Sequence, residues 1–405
     1  MHKVEIRFGV SVKWEFNYGG EFQSWEGCGL PATLDLAKDV RAALANPIDF
    51  PAIEKAIIEG DRVAIVIDPL LPSMAELTVA CVRYLLENGV TPDQLVVVLA
   101  GHEAADAELL RKSLTPILGE SVAIELHDAD DDTKVAYVAA NEDSDPIYIN
   151  RTVVDADVIL PITCARGNST LDYMGAYTVF PLLSNRATRG QFYALSKLDA
   201  VEEHEKLTAW ADQAAWWVGM MATIQAVPAA DDSVACVIAG STTAVEHESQ
   251  QRMAMAWRVD EKPAQLVIAS LEGRQSQQSW ENLARALHTA KHLVAPGGSI
   301  VLCTDITKGP GAGLQKLRNV HNSPATIARK LAHETADDAL AAAVILETTK
   351  NYHVYLVSHL KPETVEGLGM GVIQDAAQLE HLCQQHASCA VLGSAQHRFV
   401  PQSSA

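Results

Sequence analysis

The chain has 405 residues, 48% of them hydrophobic and 20% charged, which is more than one ordinary core holds and too apolar for extended disorder, so two globular domains are expected. Its formal net charge of -20, from 31 Lys and Arg against 51 Asp and Glu, repels phosphate backbones and anionic membranes, so nucleic acid and membranes are not expected partners. The seven cysteines are an odd count set in apolar stretches, the pattern of buried, reduced thiols, and no apolar run has the length of a membrane span. The expectation is a cytoplasmic protein, and a homo-oligomer stays open.

In chain order, the runs 63–67 and 95–99 are built from Val, Ile, Ala and Leu with no polar alternation, as in strands covered on both faces. Between them, 74–88 places Leu77, Ala80, Cys81, Tyr84 and Leu85 at helical spacing, with Gly89 as a helix stop. An acidic loop at 128–132 follows, then a strand at 158–162. A second unit starts after Lys262-Pro263 with strand 266–270, helix 280–293, the breaker Pro296-Gly297-Gly298 and strand 299–303. Repeated strand–helix–strand units predict an α/β fold of two Rossmann-like domains, 1–261 and 262–405, with mostly parallel sheets and a cleft between them.

Open parallel sheets bind ligands beyond the carboxyl ends of their strands. That rule selects 68–72, 101–102, 161–175, 273–278 and 304–313. Asp68 and His102 fall at such ends. Asp68 either serves a ligand or caps the helix that follows, and His102 is either an acid/base group or a loop histidine bonded to backbone.

Several segments in the right order resemble the nickel-dependent lactate racemase family: Val40-Arg41-Ala42-Ala43-Leu44-Ala45-Asn46-Pro47-Ile48, Gly60-Asp61-Arg62-Val63, Leu99-Ala100-Gly101-His102, His127-Asp128, Asn150-Arg151, Gly175-Ala176 and Gly297-Gly298. The resemblance implies a site between two Rossmann-like domains. It also implies a 2-hydroxy acid substrate, a racemase or epimerase activity, and a lysine-tethered pyridinium-type nucleotide that carries nickel with the help of a histidine. Carried over position by position, it makes His102 the first catalytic histidine and Asp68 a conserved acid of the substrate loop. The family's substrate-contacting Gln and Lys fall near Asn282 and Arg285.

The same comparison puts Leu71 where the family has Arg, Gly167 near the second catalytic histidine, Tyr177 at the tethering lysine and Tyr193 near the metal-binding histidine. Between residues 161 and 196 there is no His and no Lys. The expectation is therefore a divergent member without the nickel nucleotide and without a metal. It would bind a small carboxylate-bearing molecule through Asp68, Asn282, Arg285 and Tyr177, with His102 as its acid/base group. The alternative is a non-catalytic carboxylate-binding or regulatory paralogue. An arginine fork holds a carboxylate at least as well as a lysine, although Arg285 also reads as a solvated surface residue.

Three other constellations are weaker. His288 and His292 stand one helical turn apart without the following Glu of a zinc protease, and the spacing of His381, Cys383, His386 and Cys389 fits no common zinc site. The glycine-rich run 307–313 lacks a phosphate-loop arrangement.

Overall fold

Strand runs with no polar alternation must be covered on both faces, and in this chain they become the centres of two six-stranded sheets. The computed structural model describes residues 1–27, 29–101, 103–119, 122–140, 144, 146–167, 178–196, 201–260, 262–318, 323–332, 334 and 336–400. An N-terminal hairpin, β1 (His2–Phe8) and β2 (Val12–Tyr18), leads to β3 (Glu21–Ser24). The first domain then supplies β4 (Val63–Ile67), β5 (Leu95–Leu99), β6 (Ala123–Leu126), the antiparallel pair β7 (Val135–Ala140) and β8 (Pro146–Asn150), β9 (Val158–Cys164), β10 (Ala222–Pro228) and β11 (Val234–Ser241). The second supplies β12 (Ala264–Ser270), β13 (Val294–Cys303), β14 (His353–Val357), β15 (Gly371–Val372) and β16 (Ser388–Leu392).

The first sheet runs β11-β10-β9-β4-β5-β6 and is parallel except for β10 with β11. The second runs β15-β14-β13-β12-β16-β3 and is parallel throughout. In each, the chain leaves the first central strand on one side and returns on the other. The switch points lie between β4 and β9 and between β12 and β16. The fold class is the one expected, two mostly parallel α/β sheets.

Helices Leu36–Ala45, Met74–Glu87 and Ala104–Leu118 cover one face of the first sheet, and Val201–Trp217 with Phe180 and Phe192 covers the other. Helices Trp280–Lys291 and Ala339–Asn351 cover one face of the second sheet. Among the described residues, no helix is long and apolar enough to cross a membrane, and the described cysteines are all free thiols.

The N-terminal segment corrects the expectation that residues 1–261 form one unit. β3 pairs in parallel with β16 at the edge of the second sheet. Val4, Ile6, Phe8, Phe16 and Tyr18 pack on the open face of that sheet against Leu266, Ile268, Val301 and Val391. The alternating apolar pattern of β1 and β2 is that of a hairpin with one buried side, and the second sheet is the one with a face no helix pair has filled. Ile6 is fully buried there. Ile6→Ala should lower the unfolding free energy by about 2–5 kcal/mol in urea titrations, with the loss in the transition that reports on the second domain.

Candidate functional site in the interdomain cleft

The carboxyl edges of the two sheets face each other, and the loops leaving them build one cavity of about 570 Å³. From the first domain come Pro69 and Leu70 after β4, Gly101 and Glu103 after β5, Asp106 on the next helix, and Arg189. From the second come Arg274, Ser276 and Gln278 after β12, Glu281 and Arg285 on helix Trp280–Lys291, Lys308 after β13, and Asp337.

The first wall is set by Asp68. Its carboxylate accepts the Leu70 amide at 2.9 Å, the Cys164 amide at 3.1 Å and the Arg166 guanidinium at 2.8 and 3.1 Å. Asp68 and Arg166 are both buried, so this pair ties the loops after β4 and β9 together across the switch point. A buried pair of this kind is costly to break, about 3–5 kcal/mol when one partner is lost. The carboxylate is thus spent on the protein's own groups. Asp68 shapes the wall and is absent from the cavity lining, and it is not the side-chain cap of helix Met74–Glu87. The Gly101 backbone lies so close to Pro69 that a Cβ there would come within 2.8 Å of the proline ring, which keeps the two loops in contact.

The second wall is cross-braced by polar side chains. Gln278 receives the Thr304 hydroxyl at 2.8 Å and the Asp305 amide at 3.1 Å, joining the loops after β12 and β13. The Trp280 indole donates to the Lys308 carbonyl at 3.1 Å and so places the lysine loop. Asn282 is buried outside the lining: its amide donates to Gln277, and its oxygen accepts from Arg285 at 3.0 Å. It therefore positions Arg285.

Arg285 itself lines the cavity and its side chain is only 3% exposed, against the reading of a solvated helix face. The helix is buried around most of its circumference, and the apolar stripe alone underestimates that. It also pairs with Glu281 at 2.6 Å.

Among the described residues, four ion pairs bridge the domains at this cavity: Lys308 with Glu103 at 2.6 Å, Arg189 with Asp337 at 2.8 Å, Arg274 with Asp232 at 2.8 Å, and Arg274 with Asp106 at 3.9 Å. Gln277 reinforces the Arg274–Asp232 pair, donating to Asp232 at 3.1 Å and to the Leu70 carbonyl at 3.0 Å. Burial raises the Asp232 carboxyl above its ordinary range, and Arg274 only partly reverses that. Burial likewise raises Asp106, which lies near Arg274 and Ser276. Behind Arg285, His397 is pushed down to about 3 by burial and then by the charges of Arg166, Arg285 and Arg398, so the imidazole stays neutral within a cationic seam.

Of the residues expected from the sequence, Arg285 reaches the cavity, while Asp68 and Asn282 support it from behind. His102 and Tyr177 lie outside the described residues, although Gly101 and Glu103 on either side of His102 line the cavity. The strand-end rule pointed to the loops that carry Arg274 and Lys308 without singling out those residues. Asp106, Arg189, Asp232, Glu281 and Asp337 had no motif to reveal them. Their significance is their meeting in space, which no spacing in the sequence encodes.

The nickel nucleotide of the resembling family can be tested against this geometry. Gly167, near the expected second histidine, abuts Phe399 so tightly that a Cβ would fall 2.3 Å from the ring. Tyr193 is on helix Arg186–Ser196, and Tyr177 is outside the described residues. The described residues contain no group of three His, Cys, Asp or Glu placed to take a metal ion, and His288 and His292 pack ring against ring. Among the described positions, Gly167 has no room for an imidazole beside Phe399.

Two parallel α/β domains with a charged cleft at their facing carboxyl edges define a class of two-domain α/β proteins. Residues 18–175 match the family model for the lactate racemase N-terminal domain. The structure of the lactate racemase apoprotein from Thermoanaerobacterium thermosaccharolyticum superposes with a TM-score of 0.79 over 99% of this chain and 100% of that one, at 16% identity. A protein from Thermotoga maritima superposes with a TM-score of 0.68 over 92% of this chain and 99% of its own, at 14% identity. Likeness at such identities is one of fold. A comparison with curated proteins returned no match.

Two outcomes test the site's construction. Gly167→His should restore no metal site and should lower the melting temperature, because the new side chain must expel the Phe399 ring. The second concerns a carboxyl cluster at the rear seam. Burial and then the neighbouring Asp231 raise Glu272 to about 8, and burial raises Glu26 to about 7. A carboxyl raised in the folded state adds stability at low pH that is lost as pH rises through these values. Glu272→Gln should therefore melt at a higher temperature than the parent at pH 9, with the difference shrinking toward pH 5.

Proposed function

We propose that the chain binds a small organic carboxylate, of the 2-hydroxy acid type, in the cleft between its domains, and that it does so without the nickel nucleotide. The observation that carries this reading is the convergence of Arg189, Arg274, Arg285 and Lys308 from both domains on one cavity that also presents the aliphatic side chains of Leu70, Leu109, Leu182 and Leu340. A cavity that offers both cations and aliphatic groups suits an amphipathic acid.

Arg285 is the favoured carboxylate anchor. Its guanidinium is held by Asn282, and its acidic partner Glu281 is 40% exposed, so that side chain can turn to solvent when a ligand carboxylate replaces it. The exchange keeps the arginine neutralised throughout, which a buried cation requires. The match of residues 18–175 to the lactate racemase N-terminal domain supports the 2-hydroxy acid class and a racemase or epimerase chemistry, with His102 giving and taking the proton. A racemase needs such a group on each face of the reacting carbon. Gly167, packed against Phe399, offers none on the second face. That observation favours a second reading, a carboxylate-binding paralogue with no turnover. The free thiols support a reducing, cytoplasmic setting, and the charge of -20 argues against nucleic acid.

Isothermal titration of the full chain with lactate, 2-hydroxybutyrate and malate should give saturable binding to at least one. Arg285→Ala should weaken it by about ten-fold or more, the loss expected for a charge-assisted hydrogen bond. No binding across the panel, or unchanged affinity in the variant, would remove the reading. Exchange of the α-hydrogen in heavy water separates the two versions: exchange abolished by His102→Ala supports the isomerase, and absence of exchange in the parent supports the paralogue. Stoichiometric nickel together with added intact mass would overturn the cofactor-free part.

A further inference from the structure

Three polar atoms at the cavity are buried with no hydrogen-bond partner among the described residues: Asp106 Oδ2, Arg274 Nε and Ser276 Oγ. All three residues line the cavity. Asp106 comes from the first turn of helix Ala104–Leu118 in the first domain, and Arg274 and Ser276 come from the loop after β12 in the second. Arg274 Nε stands 3.9 Å from Asp106 Oδ1, beyond hydrogen-bond reach. Ser276 is near enough to bias the proton affinity of Asp106, yet its oxygen makes no bond of proper geometry. Asp106 is only 6% exposed, so bulk water does not serve it.

Native proteins keep few unsatisfied buried polar groups, and those they keep tend to belong to functional sites. This set contains a donor, an acceptor and a hydroxyl able to act as either. A ligand carboxylate cannot donate to Asp106, and an ammonium cannot accept from Arg274. A hydroxyl does both. Rotation of a carboxyl about its last bond is soft, so Asp106 can turn an oxygen toward the cavity, and Arg274 can use Nε while Nη1 keeps Asp232.

We propose that Asp106, Arg274 and Ser276 form the subsite that reads the hydroxyl of a hydroxy acid whose carboxylate is held at Arg285. This rests on the carboxylate reading above and adds what selects among carboxylates. A site built to bond a hydroxyl rejects the analogue that lacks it, because its own buried groups are then left unpaired. The pairing also explains why the subsite is shared between domains: the hydroxyl would join Asp106 of one to Arg274 of the other.

The test is calorimetric titration of the full chain with two matched pairs, lactate against propionate and 2-hydroxybutyrate against butyrate. The parent should prefer the hydroxy acid by about ten-fold or more within at least one pair. Asp106→Ala should bring that ratio close to one. Asp106→Leu, which fills a similar volume without polar atoms, should do the same and serves if the alanine variant does not fold, with thermal melts checking both. Equal affinity for both members of each pair in the parent, or a ratio unchanged in the folded variants, overturns the subsite and leaves the carboxylate reading standing. If neither member of either pair binds, the carboxylate reading falls and this inference falls with it.

Discussion

Asp232 of the first domain receives both Arg274 and Gln277 of the second, and this polar clamp turns two separate sheet edges into one cavity. The carboxylate is largely buried, and burial disfavours its charge, which Arg274 against it offsets. Arg274 in turn reaches the Pro69 carbonyl, and Gln277 the Leu70 carbonyl, so the clamp also grips the loop that Asp68 and Arg166 have fixed from behind. Each contact depends on the one before it. A seam made of charged pairs gains little net stability over its desolvation cost. The apolar part of the domain junction lies elsewhere, where Trp257 and Phe399 pack with Ala165 and Val227.

The electrostatics of the cavity follow from the same economy. Its cations are each matched by a carboxylate, largely from the opposite domain, and Arg285 is matched from within its own helix. A ligand anion would therefore enter by exchange, taking the place of a protein carboxylate, and not by falling onto an exposed charge. Exchange favours ligands whose geometry matches the guanidinium fork, since a poor match would leave both the arginine and the displaced acid worse off. For the proposed carboxylate ligand, such competition would set the selectivity for a planar anion, and any further selectivity would have to come from the uncharged part of the ligand.

The buried strands were legible because their chemistry is local. The runs at 63–67 and 95–99 have the bounds of β4 and β5, and the helix expected at 74–88 is Met74–Glu87 with Asn88 and Gly89 closing it. The strand-end rule also located the loops that line the cavity. What the sequence did not reveal is what depends on distance in space. β3 crosses to the second sheet because that sheet has an open edge beside β16, a fact about the far end of the chain. Arg285 is buried because Asn282, Glu281 and the facing domain close over a helix face that the pattern alone marks as polar. Asp68 carries the right residue type at the right strand end, yet Arg166, nearly a hundred residues on, decides that it is structural.

The packing around Gly167 bears on what chemistry this cleft can hold. The C-terminal segment runs beside the interdomain linker, with the Val259 amide bonded to the Phe399 carbonyl, and this brings the Phe399 ring against the Gly167 backbone. The ring belongs to the apolar cluster around Trp257, whose indole is itself bonded to the Pro228 carbonyl and covered by Arg398. A side chain at 167 would have to displace that ring and disturb the junction that holds the domains in register. The absence of an imidazole there is thus built into the packing between domains, and a single substitution cannot reverse it. Elsewhere at the cleft, Asp106 Oδ2, Arg274 Nε and Ser276 Oγ keep hydrogen-bonding capacity that the described residues do not use, so the proposed ligand would be selected at these atoms and not at position 167.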